Sequence, residues 1–127
     1  LKSTAYAGST NIDEVAWYLG TAAAANTARE DKTGSMVGRQ KAPNELGLYD
    51  LSGNVWEWCA DWYSADFYQH SAAAQDPLCD TGEKKLKVLR GGSWHNDARN
   101  CRVFNRGWRE PNGYTTIFGF RVVIPAR

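Results

Sequence analysis

The sequence has neither the excess charge that attracts a strongly charged partner nor the apolar runs that insert into a lipid membrane. Its 127 residues include 15 basic and 14 acidic side chains, so the net charge is only +1. That balance gives no electrostatic basis for binding nucleic acid or an anionic membrane, which attract proteins with a clear excess of Lys and Arg. No apolar run approaches the roughly 20 residues that cross a bilayer, and the first residues lack the hydrophobic run of a secretory signal. We therefore predict no nucleic-acid partner and no membrane insertion.

Cysteine and histidine are also scarce. Only three cysteines are present, Cys59, Cys79 and Cys101, and the sequence contains no C-x-x-C pair. An odd number leaves at least one thiol free or paired outside the chain. A disulfide between Cys59 and Cys79 stays open at this point, and it would imply an oxidising compartment. The two histidines, His70 and His95, lie far apart in sequence, so a structural zinc site is not expected.

One helix is predicted near the start of the chain. Thr10 or Asn11 is a suitable N-cap, and acidic residues follow in the first turn, where the helix dipole favours them. The apolar side chains then recur with a helical period that stops at Gly20: Ile12, Val15, Ala16 and Leu19. Residues 21–41 have no clear period, and we interpret them as a long loop, in which a helical turn in the Ala run stays open.

Three strands are predicted in the second half of the chain. Residues 55–62 combine bulky β-formers with a preceding Ser-Gly-Asn turn. Residues 85–89 alternate basic and apolar side chains, the pattern of a half-buried strand. Residues 118–124 form the last strand, which Pro125 ends. This pattern predicts a single α+β domain over residues 1–127, with short strands, long loops and one or two short helices.

The basic residues are unevenly distributed. All six lysines lie at or before Lys87, whereas seven of the nine arginines lie at or after Arg90. Arginine forms planar hydrogen-bonded networks and stacks on aromatic rings better than lysine does. We therefore predict that the C-terminal arginines are fixed in the fold and do not simply solvate its surface.

Three ordered motifs carry a resemblance to a known family: NELGLYDLSGNVWEW, VLRGGSW and GFRVV. Together they resemble the C-terminal half of the formylglycine-generating-enzyme domain of the sulfatase-modifying-factor family, with a weaker match at NIDEVAWY. The resemblance implies a C-type-lectin-like fold of the formylglycine-generating-enzyme subtype. It also implies that the N-terminal part of the family's domain is missing here, and it leaves open whether an upstream segment or a second chain completes the domain.

The resemblance also implies an alternative catalytic function. In the family's enzymes, two cysteines that follow the GGS motif, with four residues between them, bind copper, which activates oxygen to oxidise a substrate cysteine. Here the second position is Cys101, but the first is Asn96, which offers no thiolate. Two soft thiolates are what select Cu(I), so the alternative is a degenerate copper-dependent oxidase. Otherwise Cys101 is a small apolar residue buried beneath the loop.

The terminal segment resembles a second group with this fold more closely. GGSW, ARNCR and the closing GFRVV are similar to the variable proteins of diversity-generating retroelements, in which adenine-specific mutagenesis rewrites Asn codons. Most polar and aromatic residues between these motifs are reachable from such a codon, although Trp108 and Glu110 are not. The resemblance implies a variable ligand-binding region at residues 93–118 with these contact residues: His95, Asn96, Asp97, Phe104, Gly107, Trp108, Glu110, Asn112, Tyr114, Thr115, Thr116 and Phe118.

The function that this resemblance implies is non-catalytic. A variable receptor- or adhesion-type protein would bind a macromolecular target, a protein, at the cell surface or outside the cell. Aromatic contact residues provide large area with few rotamers to freeze, and polar ones provide adaptable hydrogen bonds. The residues alone leave a second interpretation open, in which Phe104, Trp108 and Phe118 are simply core.

No cofactor is expected, with one position left open. The family's enzymes bind structural calcium near the GNVWEW motif, where Asn54 and Glu57 are suitable oxygen ligands. The alternative is that Asn54 adopts a turn conformation and that Glu57 pairs with a buried arginine.

Overall fold

Short elements separated by long loops make up the described chain, which in this computed structural model comprises residues 3–27, 34–71, 78–80 and 85–124. The helices are α1 (Ile12–Val15), α2 (Leu19–Thr27) and α3 (Phe67–Ser71), with a 3₁₀ helix at Ala98–Cys101. The strands are β1 (Ala16–Trp17), β2 (Ser52–Gly53), β3 (Trp56–Trp62), β4 (Lys87–Arg90), β5 (Gly107–Arg109) and β6 (Phe118–Gly119). None of the helices in these ranges has the length and hydrophobicity that crossing a membrane requires.

A four-stranded sheet holds the terminal segment in place. Its strand order is β5-β4-β3-β6, and β3 pairs antiparallel with β4 and parallel with β6. β4 in turn pairs antiparallel with β5, so that Val88 lies opposite Trp108. A separate parallel pair joins β1 to β2. Both edges of the larger sheet are therefore short strands from the last quarter of the chain.

The helix predicted near the start is shorter than expected. Asn11 caps it, because its side-chain oxygen accepts a hydrogen bond from the Asp13 amide at 3.2 Å. The helix ends at Val15 and not at Gly20, since the next two residues form β1 with β2. The prediction of one loop over residues 21–41 is wrong at its start, where α2 continues to Thr27. Residues 28–33 of that predicted loop lie outside the described residues.

Two of the three predicted strands are confirmed with small shifts. β3 begins one residue later than predicted, and β4 spans Lys87–Arg90 where residues 85–89 were expected. The last strand, predicted for residues 118–124, contains only Phe118–Gly119. β3 provides pairing partners for those two residues alone. The apolar side chains that follow are largely exposed: Phe120, Val122, Val123 and Ile124.

The core beside the terminal segment combines apolar side chains with buried serines. One cluster of buried side chains contains Tyr6, Ile12, Val15, Ala16 and Cys101. Ser52 and Ser93 are also fully buried. The Ser52 hydroxyl donates to the Cys101 carbonyl at 2.9 Å and accepts from the Ala7 amide at 3.1 Å. These bonds satisfy groups that would otherwise be buried without partners, and they fix the 3₁₀ helix against the rest of the fold.

Two glycines permit the close approach of backbone in this core. Gly92 has φ +73°, and a Cβ at this residue would lie 2.7 Å from Cys101 Sγ and 2.9 Å from the Asn100 carbonyl oxygen. Gly53 has φ +78°, and a Cβ there would lie 2.4 Å from the Trp17 carbonyl oxygen. Both positions therefore combine a left-handed backbone with no room for a side chain.

Several C-terminal arginines are fixed in the fold, as predicted. Arg90 donates to the carbonyls of Val103 and Asn105 at 3.4 and 3.1 Å, and to the Tyr68 hydroxyl at 2.7 Å. Arg121 donates to the Glu57 carboxylate, with Nε 2.6 Å from Oε2. Arginine is suited to such networks because its planar guanidinium carries five donors in fixed directions.

Candidate binding surface

The predicted contact residues lie on the two edge strands of the four-stranded sheet and in the segments next to them in sequence. Three of them precede the 3₁₀ helix and Phe104 follows it, while two belong to β5. The remainder lie in residues 110–116 or in β6. Because β5 and β6 form the two edges of the sheet, positions that are distant in sequence are carried by one framework.

Most of these side chains face solvent. Tyr114 is 94% exposed, Phe104 69% and Trp108 44%, so none of the three is core. Five more are also exposed: His95, Glu110, Asn112, Thr115 and Thr116. The others are half-buried: Asn96, Asp97, Gly107 and Phe118. The core interpretation therefore applies in part to Phe118, whose ring packs edge-on against Trp58 with centroids 5.5 Å apart.

A groove of about 230 Å³, called here the central groove, brings four of the predicted residues together. Asn96, Gly107, Trp108 and Phe118 line it. Its remaining lining residues are Trp56, Leu89, Asn100, Arg109 and Ile117. Asn100 and Arg109 were not singled out from the sequence, because only the 3₁₀ helix and the β4–β5 pairing bring them here. The eight other predicted residues lie outside the groove, and two of them, Glu110 and Asn112, line a separate shallow depression with Lys85 and Pro111.

Asn96 is held by contacts on its backbone and side chain. Its side-chain oxygen accepts from the Trp56 indole N–H at 2.8 Å and from the Ser93 hydroxyl at 2.5 Å. Its backbone carbonyl accepts from the Leu19 amide at 3.0 Å. Trp56 is buried, and a buried indole N–H needs an acceptor. Asn96 is therefore part of the framework as well as of the groove, a double role that the sequence did not indicate.

Trp108 is exposed but not free to move. Its ring stacks on Tyr63 with centroids 4.5 Å apart and planes inclined by 28°. Arg106 lies over Tyr63 and Tyr68 at 5.0 and 4.7 Å, and donates to the Ser64 carbonyl at 3.0 Å. Such stacked and cation–π contacts restrict the rings they join. The orientation of the exposed Trp108 ring is therefore set by contacts within the chain.

Asp97 begins the 3₁₀ helix and is paired locally. Its side chain accepts from the Arg99 amide at 3.0 Å, and the Arg99 guanidinium lies 2.9 Å from its other oxygen. The hydrogen bond from Arg99 lowers the pKa of Asp97 below its ordinary value. Both side chains are well exposed, so the pair contributes little to stability. It does neutralise the charge of Asp97 at the rim of the surface.

Cys101 lies in an environment unsuited to thiolate chemistry. It is fully buried, and burial, assisted by the charge of Asp97, raises its pKa to about 12. The thiol is therefore protonated at neutral pH, whereas metal binding and nucleophilic attack need the thiolate. The first copper position, where the family's enzymes have a cysteine, holds Asn96, whose side-chain oxygen already accepts two hydrogen bonds. These residues do not fit a two-thiolate copper site.

The residues considered for calcium are already used by the protein. Asn54 has φ 62°, and its side chain accepts from the Met36 amide at 2.9 Å and donates to the Met36 carbonyl at 3.1 Å. The carboxylate of Glu57 is bound by Arg121. A cation at this place would have to displace these partners. Within residues 3–27, 34–71, 78–80 and 85–124, no three His, Cys, Asp or Glu side chains are grouped to hold a metal.

The three cysteines are free thiols in this structure. Cys79 and Cys101 are buried, and Cys59 is half-buried with its pKa raised chiefly by that burial. The disulfide considered between Cys59 and Cys79 is therefore not formed here.

Comparison with known proteins places these features in one family. The family model of the sulfatase-modifying factor enzyme 1-like domain matches residues 1–126. Variable protein 1 of Treponema denticola has a similar structure, with a TM-score of 0.71 and 27% identity over 94% of this chain and 40% of that one. The predicted C-type-lectin-like α+β fold is thereby confirmed, as is the resemblance to both the enzyme family and a variable protein.

Relatives in sequence differ widely in their named activities. The chain is 38% identical to the formylglycine-generating enzyme of Thermomonospora curvata over 82% of this chain and 36% of the relative. It is 43% identical to the serine/threonine-protein kinase Pkn1 of Chlamydia trachomatis over 60% of this chain and 12% of the relative. The inactive Cα-formylglycine-generating enzyme 2 of Bos taurus is 39% identical over 61% and 22% respectively. The chain thus spans well under half the length of each.

Proposed function

Because the chain belongs to the sulfatase-modifying factor enzyme 1-like domain family, we propose that it is a non-catalytic binding domain for a protein target. Residues 93–118 form the contact surface, and a retroelement diversifies that surface at the predicted contact residues other than Trp108 and Glu110. The family includes proteins named as enzymes and one named as inactive, so membership alone does not decide catalysis. The decision rests on the site.

One observation carries the proposal: large aromatic side chains are exposed on a backbone that buried residues hold in place. Tyr114 and Phe104 face solvent, while Cys101 of the same terminal segment is fully buried in the core. Exposed aromatic side chains are frequent anchors of protein interfaces. Truncating one such anchor typically costs about 2 kcal/mol or more of binding free energy. A surface of this kind can change its side chains without changing its fold.

The chemistry of Cys101 supports the absence of catalysis. An oxidase of the formylglycine-generating type would need two thiolates for copper, whereas the two corresponding positions here hold the buried, protonated thiol of Cys101 and the amide of Asn96, whose oxygen already has two donors. A degenerate copper oxidase nevertheless remains the second candidate, because the relatives include an active formylglycine-generating enzyme by name.

A copper titration separates the two candidates. We expect the purified chain to bind Cu(I) no more tightly than its Cys101→Ala variant, and to consume no oxygen with a cysteine-containing peptide. Tight stoichiometric Cu(I) binding together with oxygen consumption that Cys101→Ala abolishes would establish the oxidase instead. Cys59→Ala is the matched control, since that thiol lies outside the GGS segment.

Selection from a displayed library tests binding directly. Phe104, Trp108, Asn112, Tyr114 and Thr116 are randomised, and the library is selected against lysozyme as a defined protein probe. We expect folded binders whose affinity depends on the selected residues at these positions. If the library yields no binder while a matched antibody-fragment library does, the surface is not a general protein-binding one.

Retroelement diversification has its own test in the genome. We expect a near-copy of the coding segment for residues 93–118 beside a reverse-transcriptase gene, differing from it mainly at adenines. A genome without such a copy would rule out diversification and leave the binding proposal standing.

A further inference from the structure

The central groove offers mostly donors to a ligand. An indole N–H cannot accept a hydrogen bond, so the bond from Trp56 assigns the oxygen of the Asn96 amide to the side facing Trp56. The Ser93 hydroxyl occupies the same oxygen. Within the described part of the chain, the Asn96 amide nitrogen makes no hydrogen bond. Asn96 therefore presents an NH₂ group to the groove, in a position that its framework contacts fix.

A cationic donor lies beside this amide. Arg109 lines the groove, and its guanidinium makes one hydrogen bond, to the carbonyl of Trp108 at 3.0 Å. Among the residues that the structure describes, it has no carboxylate partner. This distinguishes it from Arg99 and Arg121, which are paired with Asp97 and Glu57. Its charge remains available to a ligand.

The charge of the whole segment favours an anion. Residues 91–121 contain five arginines and only two acidic residues, although the complete chain has a net charge of just +1. One of those two acids, Asp97, is neutralised by Arg99. The segment that supplies most of the residues lining the groove therefore has an excess of positive charge, even with Arg121 paired to Glu57, and such an excess attracts acidic partners and repels basic ones.

The apolar residues that line the groove favour a ligand with an apolar group next to its anion. Leu89 is buried, and Ile117 and Phe118, which also line the groove, are half-buried. The side-chain oxygen of Asn100 has no donor in the described part of the chain, so it can accept a peptide N–H. A free inorganic anion would leave the apolar walls and this acceptor unused.

We propose that the central groove binds an acidic segment of its protein partner, with an Asp or Glu carboxylate on Asn96 and Arg109 and an adjacent apolar side chain against Leu89 and Phe118. This inference rests on the proposed binding function and specifies the chemistry of its ligand. Asn96 is the positioned donor and Arg109 the source of charge. Charge-assisted hydrogen bonds of this kind are about twice as strong as neutral ones.

Two matched peptides test the proposal by NMR. Acetyl-Phe-Glu-Phe-amide and acetyl-Phe-Gln-Phe-amide are titrated separately into the ¹⁵N-labelled chain, and the side-chain signals of Asn96 and Arg109 are followed. We expect the Glu peptide to shift both signals and to bind about fivefold more tightly than the Gln peptide. High salt should reduce that preference, because the groove is open to solvent and its charges are screened.

Three variants show whether the named donors are responsible. Arg109→Gln should remove most of the preference for Glu. Asn96→Asp keeps an oxygen for Trp56 but replaces the donor NH₂ with a negative oxygen, so it should reverse the preference. Arg39→Gln, which removes an exposed arginine outside both the groove and residues 91–121, should leave the preference unchanged. Dispersed spectra confirm that each variant is folded, and Arg109 is exposed, so its replacement does not disturb the core.

The outcomes separate the two proposals. Equal binding of both peptides in the groove would overturn the acidic ligand while supporting a binding groove. Shifts by sodium acetate equal to those by the Glu peptide would overturn the peptide-type ligand. Binding of neither peptide would also overturn the acidic proposal, and the library selection against lysozyme would then decide the binding function independently.

Discussion

The 3₁₀ helix Ala98–Cys101 and the loop at residues 110–116 belong to the same terminal segment, yet the fold treats them in opposite ways. The 3₁₀ helix is tied down: Cys101 is buried and its carbonyl accepts from Ser52. In the loop, the hydrogen bonds are those of local turns, such as Gly113 to the Glu110 carbonyl at 2.9 Å, and Tyr114 faces solvent.

The difference teaches where sequence change is tolerated. Stability contributions concentrate in buried, well-packed groups, whereas surface replacements usually alter the free energy of unfolding by less than about 0.5 kcal/mol. A segment with both kinds of residue can keep one set constant and vary the other. The frame then carries the fold, and the loop can carry the recognition that we propose.

The largest expected effect comes from closing the space under the 3₁₀ helix. Gly92→Ala places a methyl group against Cys101 and the Asn100 carbonyl at a residue with φ +73°. We expect a loss of about 3 kcal/mol in the free energy of unfolding, measured with urea. Gly47→Ala is the matched control, because it has a similar φ of +76° with nothing within 4 Å, and it should lose only about 1 kcal/mol. Equal losses would show that the packing under the 3₁₀ helix is unimportant.

A smaller effect should appear at alkaline pH. The folded chain holds the Cys101 proton more tightly than the ordinary pKa of 9.0 implies. This contribution to stability is therefore complete below pH 9 and is lost as the pH rises towards about 12. Cys101→Ala should lose about 1 kcal/mol at pH 7 through reduced packing, but its stability should decline less steeply above pH 9. Parallel declines in the two proteins would contradict the buried neutral thiol.

The orientation of the Trp108 ring should depend on the Tyr63 ring that it stacks on. Tyr63→Leu removes the stacked ring and should cost about 1 kcal/mol of stability. It should also broaden the Trp108 indole signal in the NMR spectrum, because the ring loses its support. Tyr114→Leu serves as the control, since that ring is 94% exposed and its removal should leave both measurements unchanged. A sharp indole signal in Tyr63→Leu would mean that Trp108 is held by something else.

The sequence predicted the elements that depend on residues close together in the chain. β3 and β4 followed from bulky β-formers and from alternation, and the N-cap at Asn11 from its side chain. The sequence suggested α2 only as a single turn in the Ala run, because LGTAAAANT is mostly apolar on all sides and has no helical period. The two-residue strands β1 and β2 exist only through pairing between distant segments, which no short window reveals.

The surface was predicted from resemblance, and its details depend on contacts far apart in sequence. Tyr114 and Phe104 could have been core by composition alone, and the structure places both outside it. The second role of Asn96 arises from Trp56, 40 positions earlier, whose indole needs an acceptor. Arg109 joined the groove only because β5 pairs with β4. Each of these facts requires the tertiary fold.

One measurement tests the separation of frame and surface most directly: the free energy of unfolding of a single variant in which Phe104, Asn112, Tyr114, Thr115 and Thr116 are all replaced by Ser. All five side chains are exposed. The account predicts a value within about 1 kcal/mol of the parent chain, because surface changes are small and the frame does not depend on them. A loss of about 3 kcal/mol or more, comparable to that of Gly92→Ala, would contradict it.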